Sequence, residues 1–448
     1  ASAESSCSLS AGIAENGKTI KDFKSRAFAG SDLKEGGFEF SAKWTPARLW
    51  DTHAPGNMLA LKLALKDGDG RVLDEGHPEK FGFREFWISG RDFVLNGKRI
   101  FLSVIPVDNA QIGAMLANYD ASREVFARLM EIGINAVYTH NYGCEPGSHL
   151  GFEEILRAAD DSGMLVFFSQ PHFGHYEWEI EDAERNNGYA RDAEYYVRAA
   201  GNHPSVVMYA MSHNGAGYGE DMNPDMTDGI EVARDEWSSR NSKRALRAEA
   251  IVRRMDPERI VYHHSAGNLS SMHTVNFYTN FVPAQEQSDW FRHWAEKGVK
   301  PLFLCEYGVP LTWDWAMYRG WYKGNREFGS APVPWEFCLA EWNSQFYGDR
   351  AFDISELEKR NLRWEAEKFR NGEVWYRWDY PTVLGSSKFT ERHEVFAGYM
   401  TDNLRAMRTL GLSAYCPWDH GQFWILKDGA DTGRKDLPVD WERLQRPG

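Results

Sequence analysis

The sequence predicts an α/β protein, a (β/α)8 TIM barrel preceded by a small immunoglobulin-like β-sandwich, and two patterns predict it. From residue 100 onward the chain contains eight short buried strands, most of them preceded by a helix. Repeated helix–strand units indicate a parallel sheet, and eight of them indicate a barrel. Residues 1–90 instead contain short alternating runs, which are typical of antiparallel strands. We therefore predict a sandwich over 1–90 and a barrel over 91–448.

Three alternating runs define the predicted sandwich: "FEFSAKW" (38–44), "MLALKLALKD" (58–67) and "RVLDEG" (71–76). The "DGDG" between the last two runs predicts a hairpin turn. A second turn is predicted at "NGK" (96–98), where the chain enters the first barrel strand.

The barrel elements follow in order. The predicted strands span 100–106, 134–141, 164–170, 205–214, 259–267, 274–280, 301–308 and 412–419. The clearest helices span 122–133, 152–163, 190–200 and 231–255. The first of them should begin at a Ser122 cap and end at Gly133. The stretch at about 309–410 is too long for one loop and helix, so we predict an aromatic-rich insertion over the barrel mouth.

Composition excludes some partners. The net charge is −14, from 65 acidic and 51 basic residues, which disfavours nucleic acid and anionic membranes. No apolar run approaches the ~20 residues of a membrane span. The 18 Trp fit either a large core or carbohydrate stacking. Five cysteines make no disulfide framework.

The start without Met fits a mature terminus or a cut from a longer polypeptide, so we expect a periplasmic or extracellular protein, with the cytoplasm left open.

The carboxyl ends of the predicted strands carry the candidate site, because barrels keep their chemistry there. The residues at these ends are polar or aromatic, with few cations and no Gly-rich phosphate loop, which disfavours phosphate esters and nucleotides. The main candidates are Asp108, His140, Asn141, His172, Ser212, His213, Asn214, His263, His264, Tyr278, Glu306, Trp418 and Asp419. Only one of His263 and His264 can face inward from a strand. No HExxH or CxxC spacing appears, so we expect no metal and no cofactor.

Glu306 is the most informative residue. It ends "PLFLCEYG" (301–308), a run too apolar to hold a carboxylate without purpose. A structural carboxylate paired with Arg or hydroxyls is the alternative. A carboxylate at this place suits nucleophilic attack on an anomeric carbon.

Four segments resemble family two glycoside hydrolases, the β-galactosidase, β-glucuronidase and β-mannosidase group. "FGFREFWISGRDFVLNGKRIFL" (81–102) is similar to that family's junction of sandwich and barrel. "GNHPSVVMYAMSHN" (201–214), "PLFLCEYG" and "LSAYCPWD" (412–419) are similar to its strands four, seven and eight. The likeness extends from about residue 35 to near the end of the chain, although the family's N-terminal sugar-binding jelly roll is missing.

The resemblance implies a retaining mechanism, in which one carboxylate forms a glycosyl-enzyme and a second donates a proton and then activates water. Glu306 falls on the family's nucleophile. His213 falls on its Asn and Asn214 on its acid/base Glu, and an amide cannot act as a general acid. Strand three also departs, with Tyr138 to Asn141 where the family has Arg-Thr-Ser-His.

Three explanations of Asn214 stay open. Another group donates the proton, with Glu220, Asp221, His213, Asp108 and Asp419 as candidates. The enzyme uses a substrate with a good leaving group or an altered mechanism. The chain is a catalytically impaired carbohydrate-binding protein.

We expect a glycosidase acting on β-linked glycosides or a polysaccharide, with a metal-dependent barrel hydrolase as a further alternative. Asp108, His140, Asn141, His172, Tyr278, Trp418 and Asp419 are the expected substrate contacts, and Glu306, Asn214, His213 and Glu220 the expected catalytic group. A homo-oligomer, or association with an N-terminal part of the same protein, is left open.

Overall fold

The structure is a computed structural model that describes most of the chain up to residue 308 and shorter pieces beyond it. The described ranges are 6–34, 36–108, 118–140, 152–217, 234–278, 291–308, 325–328, 331–334, 348–353, 356, 401–417, 425–426 and 444–445. Within these ranges, no helix has the length and apolar character to span a membrane.

An antiparallel sheet precedes the barrel. Its strands are β1 (Cys7–Glu15), β2 (Lys18–Lys24), β3 (Leu59–Asp67), β4 (Val72–Glu75) and β5 (Glu79–Phe81). The order is β2-β1-β3-β4, and β5 also pairs with β3. The predicted β3–β4 hairpin is confirmed, and the Asp67 carboxylate accepts the backbone N–H groups of Asp69 and Arg71 in its turn.

Two details of this region differ from the prediction. Strands β1 and β2 are not among the predicted strands, although Asn16 and Gly17 form their turn with φ angles of 50° and 80°, as a tight hairpin requires. The strand predicted for 38–44 is wrong, because no described strand pairs with it. Phe38 instead stacks on Phe28, with ring centroids 3.8 Å apart.

A small sheet of β6 (Phe86–Ser89), β7 (Asp92–Leu95) and β8 (Lys98–Ile100) follows. The turn predicted at 96–98 is confirmed between β7 and β8. Phe86 and Phe93 pack in one cluster with residues at the amino ends of the barrel strands, such as Leu102 and Ala136. This sheet therefore closes the end of the barrel away from the candidate site. The predicted boundary at 90/91 falls in the β6–β7 turn; the immunoglobulin-like sandwich and the domain division stay predictions.

Eight parallel strands form the barrel sheet, and all eight predicted strands are confirmed. They are β9 (Leu102–Asp108), β10 (Ala136–His140), β11 (Leu165–Ser169), β12 (Val206–His213), β13 (Ile260–His264), β14 (His273–Tyr278), β15 (Leu302–Gly308) and β18 (Ala414–Pro417). The order is β13-β12-β11-β10-β9-β18-β15-β14, so each strand lies beside its neighbours in the series. Two short antiparallel pairs complete the described strands: β16 (Asn325–Phe328) with β17 (Ala331–Pro334), and β19 (Ile425–Leu426) with β20 (Leu444–Gln445).

The described helices lie between the barrel strands. They are α1 (Tyr119–Glu131), α2 (Phe152–Ser162), α3 (Ala183–Asn186), α4 (Tyr189–Ala200), α5 (Glu236–Met255) and α6 (Arg292–Lys297), with a further helix at 401–409. Short 3-10 helices lie at Gly30–Asp32, Phe173–His175 and Gly348–Phe352. Helix α1 begins before the predicted Ser122 because the Asn118 side chain caps it. Helix α5 begins after the predicted residue 231 because Asp235 caps it by accepting the N–H of Ser238.

One side chain joins the two ends of the barrel sheet. The Thr274 hydroxyl of β14 donates to the His263 carbonyl of β13 at 2.6 Å and accepts the N–H of Ala266 at 3.0 Å. Gly267 and Thr274 form a single backbone bridge. The connection from β13 to β14 contains no helix, and the hydroxyl and this bridge together link the two strands.

Candidate functional site

A break in β12 turns His213 into the barrel. Along this strand Met208 and Ala210 pack in the barrel interior, whereas Tyr209 and Met211 pack against the surrounding helices. Strict alternation would turn His213 outward. The register with β13 slips between Ala210 and His213, and His213 lies beside His264. Bulges of this kind re-aim side chains next to active sites.

A second irregularity turns Glu306 to the same point. In β15 Phe303 and Cys305 pack inside the barrel, and Leu304 and Tyr307 pack outside it. The registers with both neighbouring strands slip around Glu306. Glu306 therefore faces inward directly after Cys305, which no period of two could have predicted.

Glu306 lies at the centre of the described site and is 4% exposed. Its Oε1 atom is 3.7 Å from the Nε2 atom of His213 and 3.7 Å from the Nε2 atom of His264. The Asn214 amide Nδ2 donates to the same oxygen at 3.4 Å. The prediction that strands four and seven place Asn214, His213 and Glu306 together agrees with these distances.

Asn214 follows β12 with a φ of 52°, a conformation that Asn adopts more readily than most residues. Its side chain is exposed, and its Nδ2 also lies 3.2 Å from Nε2 of His213. The Asn276 amide of β14 donates to Oδ1 of Asn214 at 3.0 Å, which turns Nδ2 toward Glu306 and His213. The amide orients the carboxylate but has no proton to give as an acid.

The imidazoles stack over a tyrosine. The ring centroids of His213 and His264 are 4.3 Å apart, and Tyr138 of β10 stacks on His264 at 5.3 Å. The Tyr138 hydroxyl lies 3.4 Å from Nδ1 of His213. Burial, with the nearby Cys305 and Glu306, raises the pKa of Tyr138 well above its ordinary value, so the hydroxyl stays neutral.

Tyr138 and Asn276 were not among the predicted site residues, whereas His264 was a strand-end candidate without an assigned role. The sequence signal for His264 was present, because only one of the two adjacent histidines can face inward, and it is His264 that does. Asn276 had a weaker signal as an amide inside the apolar run "TVNFY". His213, His264 and Glu306 each present one ligand atom, all within 4.8 Å of one another, so these three could hold a metal ion.

His263 faces outward and belongs to a buried hydrogen-bond network between the barrel sheet and helix α5. Its Nδ1 lies 3.3 Å from Oγ of Ser212, and its Nε2 lies 2.9 Å from Oε2 of Glu249 on α5. Ser270 and Arg253 donate to the other Glu249 oxygen. Burial raises the pKa of Glu249, but the hydrogen bonds from His263, Ser270 and Arg253 outweigh it and lower the pKa to about 2. This network therefore holds the carboxyl ends of β12 and β13 against helix α5.

His172 holds the backbone of the site. Its Nδ1 accepts the N–H of Gly174 at 3.0 Å, which leaves Nε2 to donate to the His213 carbonyl at 3.1 Å. Both ring nitrogens are thus engaged with the backbone, and substrate contact by His172 stays a prediction. Asp108, His140 and Tyr278 end their strands as predicted, although the structure describes only their backbone. Asn141, Glu220, Asp221, Trp418, Asp419 and most of the insertion at 309–410 lie outside the described residues.

Comparisons with known proteins agree with this architecture. The β-galactosidase of Thermoanaerobacterium thermosulfurigenes is 25% identical over 207 residues, which is 45% of this chain and 26% of that protein. The structure of Parabacteroides merdae β-glucuronidase has a TM-score of 0.53 at 16% identity, covering 99% of this chain and 47% of that one. Bacteroides uniformis β-glucuronidase 2, bound covalently to cyclophellitol-6-carboxylate aziridine, has a TM-score of 0.52 at 18% identity, covering 78% and 40%.

The chain matches about a quarter of the length of that β-galactosidase and less than half of either structure. The model of the TIM barrel domain of glycosyl hydrolases family 2 matches residues 86–321, more than half of the chain and the part that contains the site. The chain belongs to glycosyl hydrolase family 2.

Proposed function

We propose that this chain is a retaining glycoside hydrolase for β-linked glycosides, with Glu306 as the nucleophile and His213 as the acid/base. One observation carries the proposal: a buried carboxylate lies inside the carboxyl end of a family 2 barrel, where an amide and two imidazoles meet one of its oxygens. A carboxylate in that position suits the covalent step of a retaining mechanism.

Among the described residues, His213 is the better proton donor of the two histidines beside Glu306. It directly precedes Asn214, the position that matches the family's acid, and it is 7% exposed. His264 is 0% exposed and lies deeper against Tyr138. An imidazole can both give and take a proton near neutral pH, which an amide cannot do.

The proposed reaction has two steps. In the first, an oxygen of Glu306 bonds to the anomeric carbon as the glycosidic bond breaks, and the leaving oxygen takes the proton from Nε2 of His213. In the second, neutral His213 takes a proton from water, the water oxygen bonds to the anomeric carbon, and the Glu306 carboxylate leaves. Each step inverts the carbon, so the product keeps the starting configuration.

The stereochemistry of hydrolysis tests this proposal. Proton NMR of the first product from an aryl β-glycoside should show the β anomer before mutarotation, and the Glu306→Gln variant should produce none. A first product of α configuration would refute the nucleophile. A chain that binds sugars and hydrolyses none would instead support the carbohydrate-binding alternative, which Asn214 favours.

A further inference from the structure

Three buried side chains converge on one point from three different barrel strands. His213, His264 and Glu306 are 7%, 0% and 4% exposed. The two Nε2 atoms lie at the same distance, 3.7 Å, from one oxygen of Glu306. Two imidazoles and a carboxylate form a common ligand set for transition metals.

We propose that His213, His264 and Glu306 bind one divalent transition-metal ion of the Zn²⁺ class. An ion about 2.1 Å from both members of a nitrogen–oxygen pair 3.7 Å apart would subtend roughly 120° at the metal, close to the tetrahedral range. Both nitrogen–oxygen pairs therefore already have the separation of two ligands on one such ion. Two nitrogen ligands favour Zn²⁺ or Co²⁺ over Mg²⁺ and Ca²⁺, which prefer sites made of oxygen.

The surroundings of His213 direct a lone pair to this point. Its Nδ1 faces the Tyr138 hydroxyl at 3.4 Å, and a metal-binding histidine commonly donates its other ring N–H to such an oxygen. Its Nε2 is then an acceptor that faces a second acceptor, the oxygen of Glu306. The Asn214 Nδ2 group lies within hydrogen-bonding distance of both atoms, 3.2 Å from Nε2 of His213 and 3.4 Å from Oε1 of Glu306. A metal ion would take over that role, and the exposed Asn214 side chain would turn aside to admit it.

The inference rests on the proposed function in one respect, which concerns the consequence of binding. A metal ion on Nε2 of His213 occupies the lone pair that must hold the catalytic proton, and on Oε1 of Glu306 it draws negative charge away from the proposed nucleophile. Metal binding therefore opposes glycosyl transfer to Glu306. We expect Zn²⁺ to inhibit glycoside hydrolysis in competition with substrate, and a chelator to reverse the inhibition.

Titration of the metal-free full chain with CoCl₂ tests the inference, with the visible absorption of bound Co²⁺ and the melting temperature as readouts. We expect one Co²⁺ at this site and a higher melting temperature, because the ion binds the folded chain. His264→Ala and the isosteric Glu306→Gln should each weaken binding by more than about 100-fold, since the first removes a direct ligand and the second replaces a charged carboxylate ligand with a neutral amide. His175→Ala removes an exposed histidine outside the cluster and should leave binding unchanged.

The outcomes separate this inference from the proposed function. Co²⁺ binding that both ligand variants lose, in a chain that hydrolyses no glycoside, supports the metal site and refutes the proposed activity. Hydrolysis by a chain that binds no Co²⁺ refutes the metal site alone. Binding that persists in folded Glu306→Gln and His264→Ala also refutes it, and circular dichroism of each variant identifies any that is unfolded.

Discussion

Replacing His213 by Gln removes the proposed proton donor and keeps a polar side chain of similar length. General acid–base catalysis contributes on the order of 10²–10⁴ in rate. The variant should therefore lose about 2.7–5.4 kcal/mol of transition-state stabilisation on a glycoside with an alkyl leaving group. A nitrophenolate leaving group departs without protonation, so formation of the glycosyl-enzyme from a nitrophenyl glycoside should slow far less. The assay is kcat/KM for the two substrates in parallel.

A second substitution should restore the lost activity. Asn214→Glu places a carboxyl at the position that matches the family's acid, on a side chain one carbon longer than one that already reaches Glu306. The longer side chain can bend away from Glu306 so that the two carboxyls lie about 5 Å apart, as in retaining glycosidases. At that distance and an effective dielectric constant of about 20, their repulsion is about 3.3 kcal/mol. That repulsion raises the pKa of one carboxyl toward the range of a general acid.

The matched control for this rescue is Asn214→Gln, which has the same length without the acid. In the His213→Gln background only the Glu variant should regain rate on alkyl glycosides. Glu at the positive φ of residue 214 should cost about 1–2 kcal/mol of stability, and Gln should cost the same. Equal losses on both substrates in His213→Gln, together with equal rates for the two double variants, would refute His213 as the donor.

Two further predictions concern stability. The pKa of Glu249 falls from 4.5 to about 2 on folding, so its stabilisation is present above pH 4.5 and is lost as the pH falls toward 2. The free energy of unfolding of the wild type, measured by chemical denaturation, should fall by up to about 3 kcal/mol across this window. The Glu249→Gln variant should be less stable at neutral pH, and its free energy of unfolding should fall less across the same window. Thr274→Val leaves the Ala266 N–H without its acceptor and should cost about 1–3 kcal/mol of unfolding free energy. Thr274→Ser keeps the hydroxyl and should cost less. Equal losses for the two variants would argue against closure of the sheet by the hydroxyl.

The barrel was predictable because its strands are long apolar runs separated by helical segments, and all eight were found. The Asn96–Gly97 turn was predicted and the same dipeptide at 16–17 was missed, although both have positive φ angles. The missed case follows a strand with small and polar residues, whose apolar pattern is weak. The caps at Asn118 and Asp235 were also missed, because Asn118 precedes the predicted start at 122 and Asp235 follows the predicted start at 231.

The site was predictable in its residue types and not in its geometry. Glu306 and His213 were found from their places at strand ends. Their inward orientation depends on two breaks in strand register, which follow from contacts between strands and not from local sequence. His264 and Asn276 come to Glu306 from strands that are separate in sequence, so their proximity is a property of barrel closure.

Covalent labelling tests the central claim most directly, that Glu306 is the nucleophile. The chain is incubated with activated 2-deoxy-2-fluoro β-glycosides, digested, and examined by mass spectrometry. We predict one added glycosyl group on the peptide that contains Glu306, absent from the Glu306→Gln variant. A label on another residue, or no label with any sugar that the chain hydrolyses, would contradict the claim.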